Sequence, residues 1–359
     1  MKIRKLNARA VRVPINRPPI TASGVISEAP IVIIDIETDI GIIGSSYIFA
    51  LSPLMLEATH ACVVALAGVV VGESLEPVAL NEKLRQRFAL SDTRGILGQA
   101  LSGIDMAAWD ALGKARELPL AKLLGGDAAP VRAYNSCGLW IDKPEALLGQ
   151  LDDLLDSRDF GGIKIRLGRK DFSEDLRAVR LVRKNLPDNL ALMCDFNQSL
   201  NMEEAMRRCK ALDDEGLYWI EDPVRHDNYV GAAEITRAIE TPVQIGEYLC
   251  SVFELQRAIA AGAADFFMPD IQQIGGVTGW MRASAIAHSH DVPISNHLFP
   301  EFSSHLMSVA PTRHWLEYVD WAGPLLQFPV EIHSGSAVIS DRYGSGIVWN
   351  ENAVEKYAV

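Results

Sequence analysis

A series of short apolar runs, each ending abruptly in a polar residue, most constrains what this chain can fold into. Gly-Ile-Lys-Ile-Arg ends at Arg166, Leu-Ala-Leu-Met-Cys-Asp at Asp195, Leu-Tyr-Trp-Ile-Glu at Glu221 and Val-Gln-Ile-Gly-Glu at Glu247. Phe-Phe-Met-Pro-Asp ends at Asp270, Val-Pro-Ile-Ser-Asn-His at His297 and His-Trp-Leu-Glu at Glu317. Successive ends are about 20 to 30 residues apart, the length of one strand, one helix and two loops. Buried parallel strands read as continuous apolar runs. Repeated at a constant step, they predict an α/β fold of the closed (β/α) barrel type, typically about 250 residues. The C-terminal ends of barrel strands converge on one face. Lys164, Arg166, Asp195, Glu221, Glu247, Asp270, His297 and Glu317 would then face one cavity. A doubly wound open sheet shares the periodicity but would not gather all these ends at one point. Strand ends also carry acidic residues simply because a loop begins there. Three consecutive carboxylates within a series that stays in phase set this chain apart.

The 359 residues leave room beyond a barrel. From Lys2 to Val13 apolar and basic residues alternate, as in a half-exposed strand. Pro14 to Ile26 reads as a loop, with Pro14, Pro18, Pro19 and Gly24. Its apolar tip, Ile20, Val25 and Ile26, fits either a loop packed on its own core or a lid over a ligand. Ile31–Glu37 and Ile42–Phe49 predict strands on either side of the turn Asp39-Ile40-Gly41. Helical patterns follow over Leu54–Val71, Leu80–Arg87 and Gly95–Arg116, the last with Ile104, Ala108, Ala111 and Leu112 on one face. Residues 1–125 therefore predict an α+β domain and 126–325 the barrel. In 326–359, Gly335, Asp341, Gly344 and Gly346 break up short strands, and this tail is expected to return to the N-terminal domain.

The net charge of −12 argues against a nucleic-acid or anionic-membrane partner. It leaves an anionic substrate open, because a bound metal can dominate the local field. The longest apolar run, Ala61–Val71, is too short for a bilayer and predicts a buried helix. Five scattered cysteines without a Cys-x-x-Cys pair, and a charged start without an apolar signal core, predict a reduced, cytoplasmic protein.

Asp195, Glu221 and Glu247 fall on three successive predicted strands. Crowded carboxylates repel unless a cation neutralises them. An all-oxygen set suits Mg²⁺, whereas zinc calls for His or Cys. Asp270 and His297 end neighbouring strands, and a carboxylate beside an imidazole makes a general base that works near neutral pH. His288, His290, His305 and His314 lie outside the series and read as surface or packing residues. Lys164 and Arg166, two apart on one strand, point the same way and imply an anionic ligand, most simply a carboxylate. Glu317, if neutral, could donate a hydrogen bond to developing negative charge. Together these groups suit removal of a proton α to a carboxylate, whose enediolate needs a metal and hydrogen-bond donors.

Lys-x-Arg, then Asp, Glu, Glu, then Asp and His on later strands resembles the mandelate racemase group of the enolase superfamily. So do Ile104-Asp-Met-Ala-Ala-Trp-Asp-Ala-Leu-Gly-Lys114, Asn197-Gln-Ser-Leu200, Ile274-Gly-Gly-Val-Thr-Gly-Trp280 and His297-Leu-Phe299. The resemblance implies a modified (β/α)₇β barrel under a capping domain made by the N-terminal region and completed by the C-terminal tail. It implies Asp195, Glu221 and Glu247 as Mg²⁺ ligands, Asp270 with His297 as the base on one face, Glu317 as electrophilic acid and Lys164 as a carboxylate contact. Ser136, Asn197, Ile20, Val25, Ile26, Leu298 and Val319 match positions near the substrate. Homo-octamers or smaller even-numbered oligomers are usual in such a group.

One position departs from the pattern. The group's racemases place a second lysine where this chain has Arg166. A guanidinium is a poor base and a good fork for a carboxylate. The apolar positions point to a racemase of an apolar or aromatic 2-hydroxy acid, with Arg166 recruited as the second base. The alternative is a dehydratase of an acid sugar or hydroxy diacid that uses His297 as its single acid/base.

Overall fold

The computed structural model describes residues 1–21, 24–157 and 159–359. Its N-terminal part is built on a three-stranded antiparallel sheet in which Glu28–Thr38 runs between Ile3–Pro14 and Ile43–Phe49. The stretch Ala29–Ile34 of the central strand reads as an unbroken apolar run because both of its faces are covered. Successive strand residues point to opposite sides. Val32, Ile34 and Ile36 join a local core with Leu56, Val63, Leu66 and Ile104, while Ala29, Ile31 and Ile33 join the core shared with the barrel.

Helix Gly95–Ala115 crosses this sheet and is buried on nearly all sides, not along one stripe. Ile104, Ala107, Ala108 and Ala111 pack in the local core and Met106 in the barrel core, while Leu112 is only partly buried. Close approach demands small residues. A Cβ on Gly44 would lie 2.1 Å from the Ala107 carbonyl oxygen. Helix Leu56–Val70 corrects the expectation of a buried element. It buries one stripe (Leu56, Thr59, Val63, Leu66 and Val70) and leaves Val64 49% exposed. Pro53–Val70 is long and apolar enough by composition to cross a membrane, yet here that stripe packs in the local core.

The barrel closes as the series predicts. Parallel strands Val131–Asn135, Gly162–Arg166, Ala191–Asp195, Ile220–Glu221, Val243–Ile245 and Phe266–Phe267 pair in order. The seventh position is reduced to parallel bridges at Ile294, and Leu316–Tyr318 pairs back to the first strand. A helix follows each of the first seven strand positions before the next strand begins, and the eighth leads into the C-terminal tail, which makes the barrel (β/α)₇β. The strands are shorter than the apolar runs. Gly246, at φ +136°, leaves the extended region, so Glu247 lies two residues past its strand. Pro269 cannot donate to a ladder, and Asp270 becomes the N-cap of helix Ile271–Ile274.

The tail touches both parts. Hairpin Glu331–His333/Ser336–Val338 adds antiparallel to the first barrel strand. Farther on, Ser345 donates through its backbone N and its Oγ to Asp110 of helix Gly95–Ala115. The terminal residues lie along the first strand of the N-terminal sheet, where Val359 N donates to Ala10 O.

Candidate active site

The strand ends and the N-terminal part enclose a cavity of ≈ 120 Å³. Lys164, Arg166, Asp195, Glu247, His297 and Glu317 line its floor and sides. Glu221 sits just beneath, fully buried. Larger hollows of ≈ 410 and ≈ 530 Å³ lie beside the 14–17 loop and the C-terminal tail. Neither gathers the strand-end groups, so the smaller cavity is the candidate site.

Lys164 projects inward from the second strand. Its Nζ lies 2.5 Å from Glu221 Oε1, 2.8 Å from Glu317 Oε1 and 3.4 Å from Asp195 Oδ2. Burial alone would lower its pKa, but Glu221 and Glu317 outweigh burial and raise it. Glu221 is also held by Trp219 Nε1 at 3.0 Å and Gln244 Nε2 at 3.1 Å. Asp195 accepts from the backbone N (2.7 Å) and side-chain Nδ2 (2.9 Å) of Asn197, which keeps the carboxylate aimed at the cavity.

Among the described residues, no three carboxylate, imidazole or thiolate side chains are already gathered as a metal-holding group. The cation between Asp195, Glu221 and Glu317 is the Lys164 ammonium. The donors nevertheless suit a hard divalent ion. Burial pushes Glu221 up to about 8 and also raises Glu247 and Asp222. Asp222 is buried, and neither of its carboxylate oxygens has a partner. An uncompensated carboxylate in low dielectric is costly, and added positive charge among oxygen donors relieves it.

On the opposite side, His297 Nδ1 donates to Asp270 Oδ2 at 2.7 Å. Asp270 is itself fixed by Gln272 N at 2.7 Å and Gln273 N at 3.3 Å. This leaves Nε2 as the working nitrogen, 3.2 Å from Glu247 Oε2. Burial would lower the imidazole pKa, but Glu247 and the Asp270 hydrogen bond prevail and raise it to about 9. Glu317 departs from the neutral acid expected of it. Burial would raise it, yet Lys164, His297 and Arg166 hold it well below the usual carboxylate range. It accepts from Lys164, from Ser136 Oγ (2.8 Å) and from Leu298 N (3.1 Å).

Asn197, Ile26, Leu298 and Val319 line the cavity as expected. Ser136 lies behind Arg166 and accepts from its Nη2 at 2.9 Å. Ile20 and Val25 do not line the cavity. They pair across a short hairpin on its outer side, 36% and 64% exposed. Side chains alternate along a strand, so Pro19 and Thr21 face inward instead. Sequence reasoning missed Phe49, Leu51, Trp140, Tyr248 and Trp321 in the wall. Trp140 and Tyr248 closely follow the ends of barrel strands, a usable signal, whereas Phe49 and Leu51 arrive from a distant sheet. Asp222 was also missed, though it directly follows Glu221.

Comparison with known proteins agrees with this architecture. Residues 3–125 match the model for the mandelate racemase / muconate lactonizing enzyme N-terminal domain, and residues 146–353 the enolase C-terminal domain-like model. A solved enolase from the alpha proteobacterium bal199, with bound Mg, is 38% identical, with a TM-score of 0.97 over 100% of this chain and 99% of that one. An enolase from Bradyrhizobium, complexed with magnesium and mandelic acid, is 39% identical, with a TM-score of 0.94 over 100% and 98%. The L-talarate/galactarate dehydratase of Salmonella typhimurium is 36% identical over 261 residues, which span 72% of this chain and 65% of that enzyme.

Proposed function

Because the chain belongs to the mandelate racemase/muconate lactonizing enzyme family of the enolase superfamily, we propose that it is a Mg²⁺-dependent dehydratase of a hydroxy acid, with His297 as its single acid/base. The observation that carries this reading is the pairing of the Asp270–His297 dyad with Arg166. One proton carrier serves one face of the substrate, and a guanidinium stands where a second would be needed. Similarity to a curated dehydratase supports the same choice, so the racemase expectation gives way to the alternative.

Asp195, Glu221 and Glu247 would hold the ion, once Lys164 turns from them toward a substrate carboxylate. A bound Mg²⁺ supplies Lewis-acid stabilisation of the charge that develops on that carboxylate. With Glu247 engaged by the ion, the imidazole would no longer be held protonated by that carboxylate; His297 Nε2 then takes the C2 proton, while Asp270 keeps Nδ1 protonated and the ring oriented. The C3–O bond then breaks, and the departing hydroxide leaves as water with the proton from His297. The resulting enol tautomerises to a 2-keto acid. Glu317, held ionised beside Lys164, serves better as an acceptor that fixes Lys164 and Ser136 than as a donor.

A second reading is favoured by the wall. Ile26, Phe49, Leu51, Leu298, Val319 and Trp321 suit an apolar substituent, as in a racemase of an apolar 2-hydroxy acid. Proton NMR in D₂O with Mg²⁺ and single enantiomers, with semicarbazone detection of 2-keto acids, separates the two. The dehydratase reading expects keto acid from one enantiomer of a 2,3-dihydroxy acid. Exchange with inversion from both enantiomers of mandelate, without keto acid, would overturn it.

A further inference from the structure

Trp140 has no part in the chemistry above, yet it is placed with unusual care. It is 4% exposed, in the loop after the first barrel strand. Arg166 N donates to Leu139 O at 2.9 Å, Leu139 sits at φ 51°, and Trp140 N donates to Gln150 Oε1 at 3.2 Å. The indole ring centre lies 4.8 Å from the Arg166 guanidinium carbon.

Both side chains line the cavity and both hold donors without acceptors. Arg166 Nη2 is satisfied by Ser136 Oγ, whose own proton goes to Glu317. Arg166 Nε lies 3.4 Å from Asp195 Oδ2 in an ion pair but makes no hydrogen bond, and Nη1 has no partner. Trp140 Nε1 is likewise buried and unpartnered. Each orphan donor destabilises the folded chain when nothing answers it. Unpartnered buried donors occur elsewhere in the fold, at Trp280 and Trp315 among others, but here the two side chains that hold them line one cavity.

We infer that Trp140 and Arg166 build a second carboxylate subsite, so that the substrate is a short hydroxy diacid. The inference rests on the hydroxy-acid reading above and names its substrate class. A carboxylate offers two oxygens with several lone pairs, which matches a planar guanidinium and one further N–H. Lys164 is left for the carboxylate next to the reacting carbon. The remaining wall, with Ile26, Leu298 and Val319, offers apolar contact to a short carbon chain and few partners for a row of hydroxyls. Trp140 is on this view a specificity residue. Its ring supports the guanidinium by a cation–π contact, and its N–H selects an acceptor.

Calorimetry of the Mg²⁺-loaded protein with malate and 2-hydroxybutyrate tests this. The two share a four-carbon 2-hydroxy acid skeleton and differ in a terminal carboxylate against a methyl group. Malate is expected to bind at least about tenfold more tightly, the least that a charge-assisted hydrogen bond supplies. Trp140→Phe keeps the ring and loses the N–H. It should weaken malate about tenfold and leave 2-hydroxybutyrate unchanged. Equal affinities in the wild type, or equal weakening of both ligands in the variant, would overturn the subsite, and so would tighter binding of mandelate than of malate. The wild-type ratio needs no variant to fold. A malate preference without keto acid from any substrate would sink the assigned reaction and keep the subsite. Keto acid formation without a diacid preference would do the reverse.

Discussion

His305 carries a stability prediction whose size follows from its contacts. It is fully buried on helix Pro300–Val309, where Ala121 N donates to Nδ1 at 3.1 Å and Nε2 donates to Ser345 O at 3.2 Å. Ala121 follows the long helix of the N-terminal part and Ser345 belongs to the tail, so one imidazole joins three segments. Because Nδ1 accepts from a backbone N–H, the ring must be neutral. A proton there would face another proton. Burial accordingly lowers its pKa from 6.5 to about 4. Above pH 6.5 the ring is neutral in folded and unfolded chains, and its contribution is complete. Between pH 6.5 and 4 the unfolded chain takes up a proton that the fold refuses, so stability falls as pH falls. At about 1.4 kcal/mol per pH unit, the loss reaches about 3 kcal/mol. Asp105 and Glu301, raised by burial to about 6, act in the opposite sense over part of this range, so the measurement must be a difference. The variant His305→Asn keeps an acceptor for Ala121 N–H and does not titrate. Urea unfolding at several pH values should show the wild-type advantage over this variant shrinking by about 3 kcal/mol from pH 6.5 to 4. Amide exchange at Ala121 should accelerate in the wild type over the same window. A pH-independent difference would refute the reasoning.

Other outcomes follow from the site. Replacing His297 with Asn should lower exchange of the substrate α-proton by about 10²–10⁴-fold while leaving Mg²⁺-induced thermal stabilisation in place. Equal exchange in the variant would remove His297 as the base. Mg²⁺ at 100 times its dissociation constant should stabilise the fold by about 2.7 kcal/mol, seen as a melting shift that a chelator reverses; a melting point indifferent to Mg²⁺ would argue against the carboxylate set. Arg166→Lys should introduce α-proton exchange from the enantiomer that the wild type ignores, read by NMR in D₂O. Gln272 accepts from Phe49 N at 2.8 Å and donates to Phe49 O at 3.3 Å, while its backbone N holds Asp270. Gln272→Leu would orphan two buried backbone groups at about 1–3 kcal/mol each. It should lower the melting point and reduce kcat more than it changes KM.

The rhythm of apolar runs and polar ends was legible because strand and helix periods are local properties of the chain. Arg166, Asp195 and Glu221 do end strands, and Glu247, Asp270 and His297 fall just past them on the same face. Their residue types were enough to suggest a cation site and a carboxylate–imidazole base. The N-terminal strands and helices were legible for the same reason, since Ile31–Ile36 and the Ala-rich helix to Ala115 state their conformations in their own pattern. Local pattern did not reveal which faces would be covered. The helix at 95–115 looks amphipathic and is buried on nearly all sides, while the apolar run Ala61–Val71 reads as a buried helix and belongs to one buried along a single stripe.

What the sequence determined by itself was therefore the order of elements, the barrel and the inventory of reactive side chains. Tertiary structure decided how those side chains act. Lys164 lies among three carboxylates only because barrel closure brings the second, third, fourth and eighth strands around one axis, and that proximity ionises Glu317. Ile20 and Val25 turn outward because a hairpin's register, which no composition reveals, sends alternate side chains to opposite faces. Trp140 meets Arg166 across a loop, and the Tyr47 hydroxyl reaches Glu301 across a separation of 254 residues. Electrostatic and hydrogen-bond energies depend on distances of a few ångströms between residues far apart in the chain, and only the closed fold sets those distances.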